Sequence, residues 1–113
     1  MAEGMVICRE DALKALVVKR LREAGMPESQ AVVVADVLVY ADLRGVYSHG
    51  VMRVEHYAAR IRAGGMNLRP LFRIERLKPS IGLVDAQGAA GHVMTTYATD
   101  QALQIAAEQG LAM

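Results

Sequence analysis

His49, Arg53, His56 and Arg60 follow one another at spacings of four, three and four residues. On a helix turning ~100° per residue they would share a sector of roughly 60°, one continuous stripe. Val51, Val54, Ala58 and Ile61 would occupy the opposite side. One face is then apolar and the other cationic, or able to become so. Ser48 is placed to cap such a helix, so that Ser48 and His49 would lie at an N-terminus whose unpaired backbone N–H groups favour an anion. Arg53, one turn on, offers a planar fork suited to a carboxylate. His49 can give or take a proton near neutral pH. Together Ser48, His49 and Arg53 have the chemistry of a receptor for a small carboxylate with an acid/base group beside it. The plain alternative is a solvated helix face, which Arg and His form more often than they form a site.

Other chemistry finds less support. His49 and His56 would stand about 10 Å apart along a helix axis, too far to share a zinc ion at ~2 Å bond lengths. His92 has nothing in the sequence to bring it to either, so no metal is expected. Cys8 lacks an activating neighbour and is expected to be a small buried or terminal residue. The chain has no GxGxxG, GxxxxGK[ST], CxxC or GxSxG. Gly88-Ala89-Ala90-Gly91 reads as a turn before a helix rather than as a phosphate loop.

The elements that must position these residues can be read from periodicity. Leu13, Leu16, Val17, Leu21 and Ala24 predict a first helix over 9–24, stopped by Gly25. Pro27 and Glu28 open a second, over 27–44, that Gly45 ends. Its apolar residues lie on more than one side, which calls for several neighbours or a partner subunit. The third helix is expected over 49–63, closed by Gly64-Gly65. Phe72, Ile74 and Leu77 suggest a strand, and Lys78-Pro79 a turn. Residues 81–84 suggest a second strand, the two pairing as a hairpin. A last helix, 92–109, buries Met94, Tyr97, Ala98, Ala102, Ile105 and Ala106. Leu111 would begin a further strand. The fold class is α+β: a three-helix segment, a β-hairpin, then a helix leading into a truncated sheet. We read 1–113 as a single N-terminal portion of something longer, with a helical segment 1–65 and a hairpin-plus-helix segment 66–113.

Composition bounds the function. At 113 residues the chain holds one ordinary core. Thirteen Lys and Arg against 12 Asp and Glu leave a net charge of +1, too little for a whole-chain polyanion binder. A single cysteine cannot form an internal disulfide. The apolar runs 31–35 and 37–41, split by Asp36, are far short of the ~20 residues of a membrane span. Met1-Ala2-Glu3-Gly4 lacks the basic-then-apolar pattern of a signal segment, so a cytoplasmic location is expected.

Residues 41–53 read Ala-Asp-Leu-Arg-Gly-Val-Tyr-Ser-His-Gly-Val-Met-Arg. This run closely resembles the A-D-x-R-G-x-x-S-H-G-x-x-R signature of the malate/L-lactate dehydrogenase family, NAD(P)-dependent 2-hydroxy-acid oxidoreductases without a Rossmann fold. Further matches are Arg9-Glu10-x-x-Leu13, Ala24-Gly25, Gly64-Gly65-x-Asn67 with Pro70, and Asp85-x-x-x-Ala89-x-Gly91. Val39-Tyr40-Ala41-Asp42 and Arg53-Val54-Glu55-x-Tyr57-Ala58 look most like the family's ureidoglycolate-oxidising members. The resemblance implies hydride transfer between NAD or NADP and a small 2-hydroxy acid, with ureidoglycolate foremost and malate or lactate next. It makes His49 the acid/base residue and Ser48 and Arg53 substrate-side residues. Many members carry Asp or His where this chain has Tyr47. The family's cofactor-binding segments and a second histidine motif lie further along its chains. The resemblance therefore leaves open which histidine moves the proton, gives this segment little of the cofactor side and names no cofactor-binding residue in it, and implies that the isolated chain is inactive.

A homodimer is expected, with no nucleic-acid or membrane partner. Two other function classes remain. One is a non-catalytic helical dimerisation module. The other is a nucleic-acid-binding helix, since Arg44, Arg53, Arg60 and Arg62 against Glu55 give a local +3 over 44–62. Steep weakening of binding by salt would mark the latter.

Overall fold

The structure, a computed structural model, describes residues 4–113. Residues 1–3, most of the Met1–Gly4 stretch whose pattern argues against a signal segment, lie outside the described residues. The described chain divides into two compact units, the first ending at Ala63 and the second spanning Gly64–Met113.

In the first unit α1 is Glu10–Ala24 and α2 is Glu28–Leu43. Two 3₁₀ turns follow, Tyr47–His49 and Val51–Arg53, and then α3, Val54–Arg62. Gly25 ends α1 with φ 117°, a left-handed conformation natural to glycine. Its N–H donates to the Arg22 carbonyl at 2.9 Å and the Met26 N–H to the Leu21 carbonyl at 3.0 Å. This closure folds Met26 inward, and both Met26 and Leu21 are buried. Gly45, φ 75°, closes α2 in the same way, with Gly45 N–H to the Asp42 carbonyl and Val46 N–H to the Ala41 carbonyl.

α1 packs against both α2 and α3. Val17 and Leu21, Ala31, Val34, Ala35, Leu38 and Val39, and Val54, Ala58 and Ile61 form the buried apolar set of the three helices. Leu16, expected in that set, is 61% exposed; the buried stripe of α1 runs through Val17 and Leu21, one residue aside. α2 is apolar on more than one side, as its sequence predicts, and only part of that surface is covered. Val32, Val37, Tyr40 and Leu43 are exposed.

Arg20 of α1 reaches Glu55 of α3 through both Nε and Nη2, the latter 2.8 Å from Oε2. The guanidinium holds the Glu55 carboxyl below the usual carboxylate range. A carboxyl whose pKa is lower folded than unfolded stabilises the fold above its unfolded pKa, and that contribution is lost as pH falls through the folded value. Carbon-detected NMR should find Glu55 titrating below glutamates without such a partner. Glu55→Gln should narrow the gap in melting temperature between neutral and acid pH, an effect that high salt shrinks because the pair is exposed.

In the second unit β1, Ile74–Lys78, pairs antiparallel with β2, Ile81–Val84, around the Pro79-Ser80 turn. Ile74 lies opposite Val84, and a bulge at Leu77 shifts the register. Phe72, expected in the strand, precedes it and stacks on Tyr97 with ring centroids 5.2 Å apart. α4, Gly91–Gln109, packs on β2 through buried Ile105. Gly82 leaves room for Ile74, whose side chain a Cβ there would press on, with Ile105 just beyond. The Met113 N–H donates to the Ser80 carbonyl at 2.8 Å, and the Gly82 N–H to the Met113 carbonyl at 2.9 Å. That is the hydrogen-bond pattern of a parallel pairing of Met113 with Ile81, so α4 does lead back along the sheet. The architecture is α+β. No helix among the described residues is long and apolar enough to cross a membrane.

Candidate functional site

The candidate residues lie between α2 and α3, and the local structure differs from a single helix. Gly50 has φ −97° and ψ −154°, an extended conformation that interrupts the helical path. The segment breaks into two tight turns. His49 N–H donates to the Val46 carbonyl, Gly50 N–H to the Tyr47 carbonyl and Arg53 N–H to the Gly50 carbonyl, each at 3.1 Å. α3 begins only at Val54, and no side chain caps it. The expected third helix over 49–63 is therefore corrected. Ser48 is not an N-cap, and Ser48 and His49 belong to the first 3₁₀ turn rather than to the first turn of an α-helix. The four-residue stripe is divided as well: His49 sits in the first turn, Arg53 in the second, and His56 and Arg60 on α3. The expected apolar side of α3 does form, with Val54, Ala58 and Ile61 buried and Val51 half-buried.

The turns nevertheless bring Ser48, His49 and Arg53 together. Ser48 Oγ lies 2.9 Å from His49 Nδ1. Arg53 Nε donates to the Ser48 carbonyl at 2.8 Å. The first contact occupies one ring nitrogen of His49, so that proton exchange with another molecule falls to Nε2. The second holds the guanidinium by its inner nitrogen, and the Nη pair is the end that presents two parallel donors to a carboxylate. All three residues are exposed. Beside them runs an apolar cleft of about 960 Å³ within the first unit, walled by Val6, Leu13, Leu43, Tyr47 and Met52 among others. Cys8 lines it and is exposed, so the buried alternative for this thiol does not hold.

Asp42 escaped the sequence reasoning. Its Oδ2 accepts the Val51 N–H at 3.0 Å. A signal was available. Asp42 lies in the last turn of α2, where a carboxylate opposes the helix dipole and no basic residue shares that turn. A carboxylate so placed calls for a donor from elsewhere.

His92 lies in the second unit, in the first turn of α4, half-buried, and burial holds its pKa below the usual imidazole value. Among the described residues no three His, Cys, Asp or Glu side chains cluster as metal ligands. The loop before α4 is a turn. Gln87 and Gly88 have φ 53° and 75°, and Ala89 N–H donates to the Ala86 carbonyl at 2.9 Å. The Gln87 side chain grips residue 71, donating to its carbonyl at 2.8 Å and accepting its N–H at 2.9 Å.

The sequence pattern of the malate/L-lactate dehydrogenase family matches residues 8–113. The ureidoglycolate dehydrogenase (NAD(+)) of Escherichia coli is 43% identical over 109 residues, 96% of this chain and 31% of that protein. The solved malate dehydrogenase of Pyrococcus horikoshii superposes with a TM-score of 0.90 at 39% identity, covering 96% of this chain and 31% of that one. The sulfolactate dehydrogenase of Methanocaldococcus jannaschii superposes with a TM-score of 0.82 at 32% identity, covering 89% and 29%. The chain thus spans about a third of the length of the relatives it matches.

Proposed function

Because the chain belongs to the malate/L-lactate dehydrogenase family, we propose that it forms the substrate-holding part of a dehydrogenase acting on a small 2-hydroxy acid, with ureidoglycolate as the first candidate and malate the second. The observation that carries this is the coupled trio of Ser48, His49 and Arg53, joined by contacts of 2.9 and 2.8 Å on two successive turns. The Nη pair of Arg53 holds the substrate carboxylate. In the tautomer whose Nδ1–H donates to the Ser48 hydroxyl, Nε2 of His49 keeps its lone pair and takes the proton of the 2-hydroxyl group.

A nicotinamide cofactor goes with dehydrogenases; NAD is named for the ureidoglycolate relative and NADP for a sulfolactate relative. The glycine-punctuated loop before α4 is not a dinucleotide cradle. The glycine-punctuated loop spends its Ala89 N–H within its own turn, and the carbonyls of Gln87 and Gly88 accept from Asn67. Cofactor binding falls, on this proposal, to the two thirds of the family's length that this chain does not span. The isolated 113-residue chain is accordingly inactive by itself. We place the chain in the cytoplasm, in keeping with its free Cys8.

The deciding experiment exchanges this chain for the matching segment of the Pyrococcus horikoshii enzyme and follows nicotinamide reduction with ureidoglycolate, malate and sulfolactate. Turnover that moves toward ureidoglycolate is expected. A folded exchange enzyme that oxidises none of the three overturns the proposal.

The enzyme is also proposed to be a homodimer, on the strength of the exposed Val32, Val37, Tyr40 and Leu43 of α2. The chain should sediment as a concentration-dependent self-associating species. Replacing Tyr40 and Leu43 with Lys should shift it to monomer, whereas a wild-type chain that stays monomeric at high concentration counts against the dimer.

A further inference from the structure

We propose that Asp42 is a positioning residue for His49: its carboxylate pins the turn that carries Ser48 and His49. The inference rests on the proton-transfer role given to His49 above. Three observations meet at this side chain. Asp42 sits where the α2 dipole disfavours it, without a basic neighbour in the last turn. Its Oδ2 accepts the N–H of Val51, the residue that opens the second turn, at 3.0 Å. Gly50 is buried directly against the carboxylate, so that a Cβ at Gly50 would collide with the Asp42 carboxyl group.

The Gly50 backbone is of a kind that any residue adopts, since its φ is negative and its ψ extended. Glycine is needed there for room and not for conformational freedom. The carboxylate and the glycine therefore fit as peg and socket. His49 and Ser48 sit immediately before the socket. Arg53 closes the far side, its N–H on the Gly50 carbonyl and its Nε on the Ser48 carbonyl. Removing the peg leaves the Val51 N–H without its acceptor and a void beside Gly50. The Ser48–His49 contact then has no fixed frame.

Asp42→Ala and Asp42→Asn separate this from a merely structural role. Asparagine keeps an acceptor oxygen and the volume; alanine keeps neither. In the 113-residue chain, Asp42→Ala should speed exchange of the Val51 amide at least about tenfold, the loss of one hydrogen bond of ~1.4 kcal/mol. The ¹⁵N spectrum of the His49 ring should change from one favoured tautomer to an averaged pair. Asp42→Asn should keep both signals close to wild type. Gly50→Ala, approaching from the other side, should reproduce the Asp42→Ala spectrum. Asp42→Ala combined with Gly50→Ala should be no worse than Gly50→Ala, because both disrupt the same contact.

In the exchanged enzyme, Asp42→Ala should lower kcat by about tenfold to 10²-fold, as misplacement of a reacting group by ~1 Å does, with Asp42→Asn restoring most of it. An unchanged His49 ring in Asp42→Ala overturns the inference, as does an Asp42→Asn variant as damaged as Asp42→Ala. A ring freed by Asp42→Ala in an enzyme whose kcat is indifferent to His49→Ala instead overturns the proton-transfer role and leaves the pinning of the turn intact.

Discussion

His49→Ala in the exchanged dehydrogenase should lower kcat by about 10²–10⁴-fold, the usual worth of a positioned general acid or base. The same change should leave KM for the hydroxy acid within a few-fold of wild type, because the imidazole is needed as the hydroxyl proton departs and not for ground-state binding. Arg53→Lys should behave in the opposite way. Lysine keeps the charge but not the planar fork: its three N–H bonds diverge from one nitrogen, so it cannot hold the Ser48 carbonyl as Nε does and also present two parallel donors to a carboxylate. A uniform loss of binding raises KM and spares kcat. Steady-state kinetics of the two variants beside wild type settles the assignment. A raised KM with intact kcat in His49→Ala would move the proton-transfer role to another residue and make His49 a binding group. Two unaffected variants would reduce the trio to solvated surface. Ser48→Ala adds a finer reading. It removes the partner of Nδ1 and should lower kcat less than His49→Ala does, because it frees the ring without removing it.

The parts legible from the sequence are those whose cause is local. Gly25 and Gly45 stop their helices because both need positive φ, and glycine takes that conformation without strain. Ile74 and Val84 pair because Pro79 and Ser80 turn the chain between them. Ser48, His49 and Arg53 stand out by residue type whatever the backbone does. The segment joining them was misread because the 4-3-4 spacing fits a helix, while the interruption comes from Gly50 packed on a carboxylate eight residues earlier. That contact has no periodic signature. The partners of Asp42 and Arg53 are a backbone N–H and a backbone carbonyl, which every residue carries, so no residue type announces them. Leu16 fails for a different reason. Leu13, Leu16 and Val17 mark one broad stripe on α1, and only the tertiary neighbours decide which edge of it is covered.

Leu38→Ala should destabilise the first unit by about 2–5 kcal/mol, whereas Leu16→Ala should change it by no more than about 0.5 kcal/mol. Both are leucines on helices and both lie in apolar runs. Leu38 has no exposed surface and sits in α2 between Val34, Ala35 and Val39, all buried. Truncating it removes three carbons from close packing and leaves a cavity. The buried set of the first unit is mostly Ala and Val, already small and, for Val, held in few rotamers, so it has little freedom to lean in and fill the space. Leu16 is already largely in water, so its truncation forfeits little burial. Alanine is also the better helix former, which offsets part of that loss. Urea titrations of the two variants followed by far-UV circular dichroism should show a large fall in midpoint for Leu38→Ala and almost none for Leu16→Ala. A comparable loss from Leu16→Ala would mean that its face of α1 is covered in solution, and the self-association expected from α2 would then extend to α1.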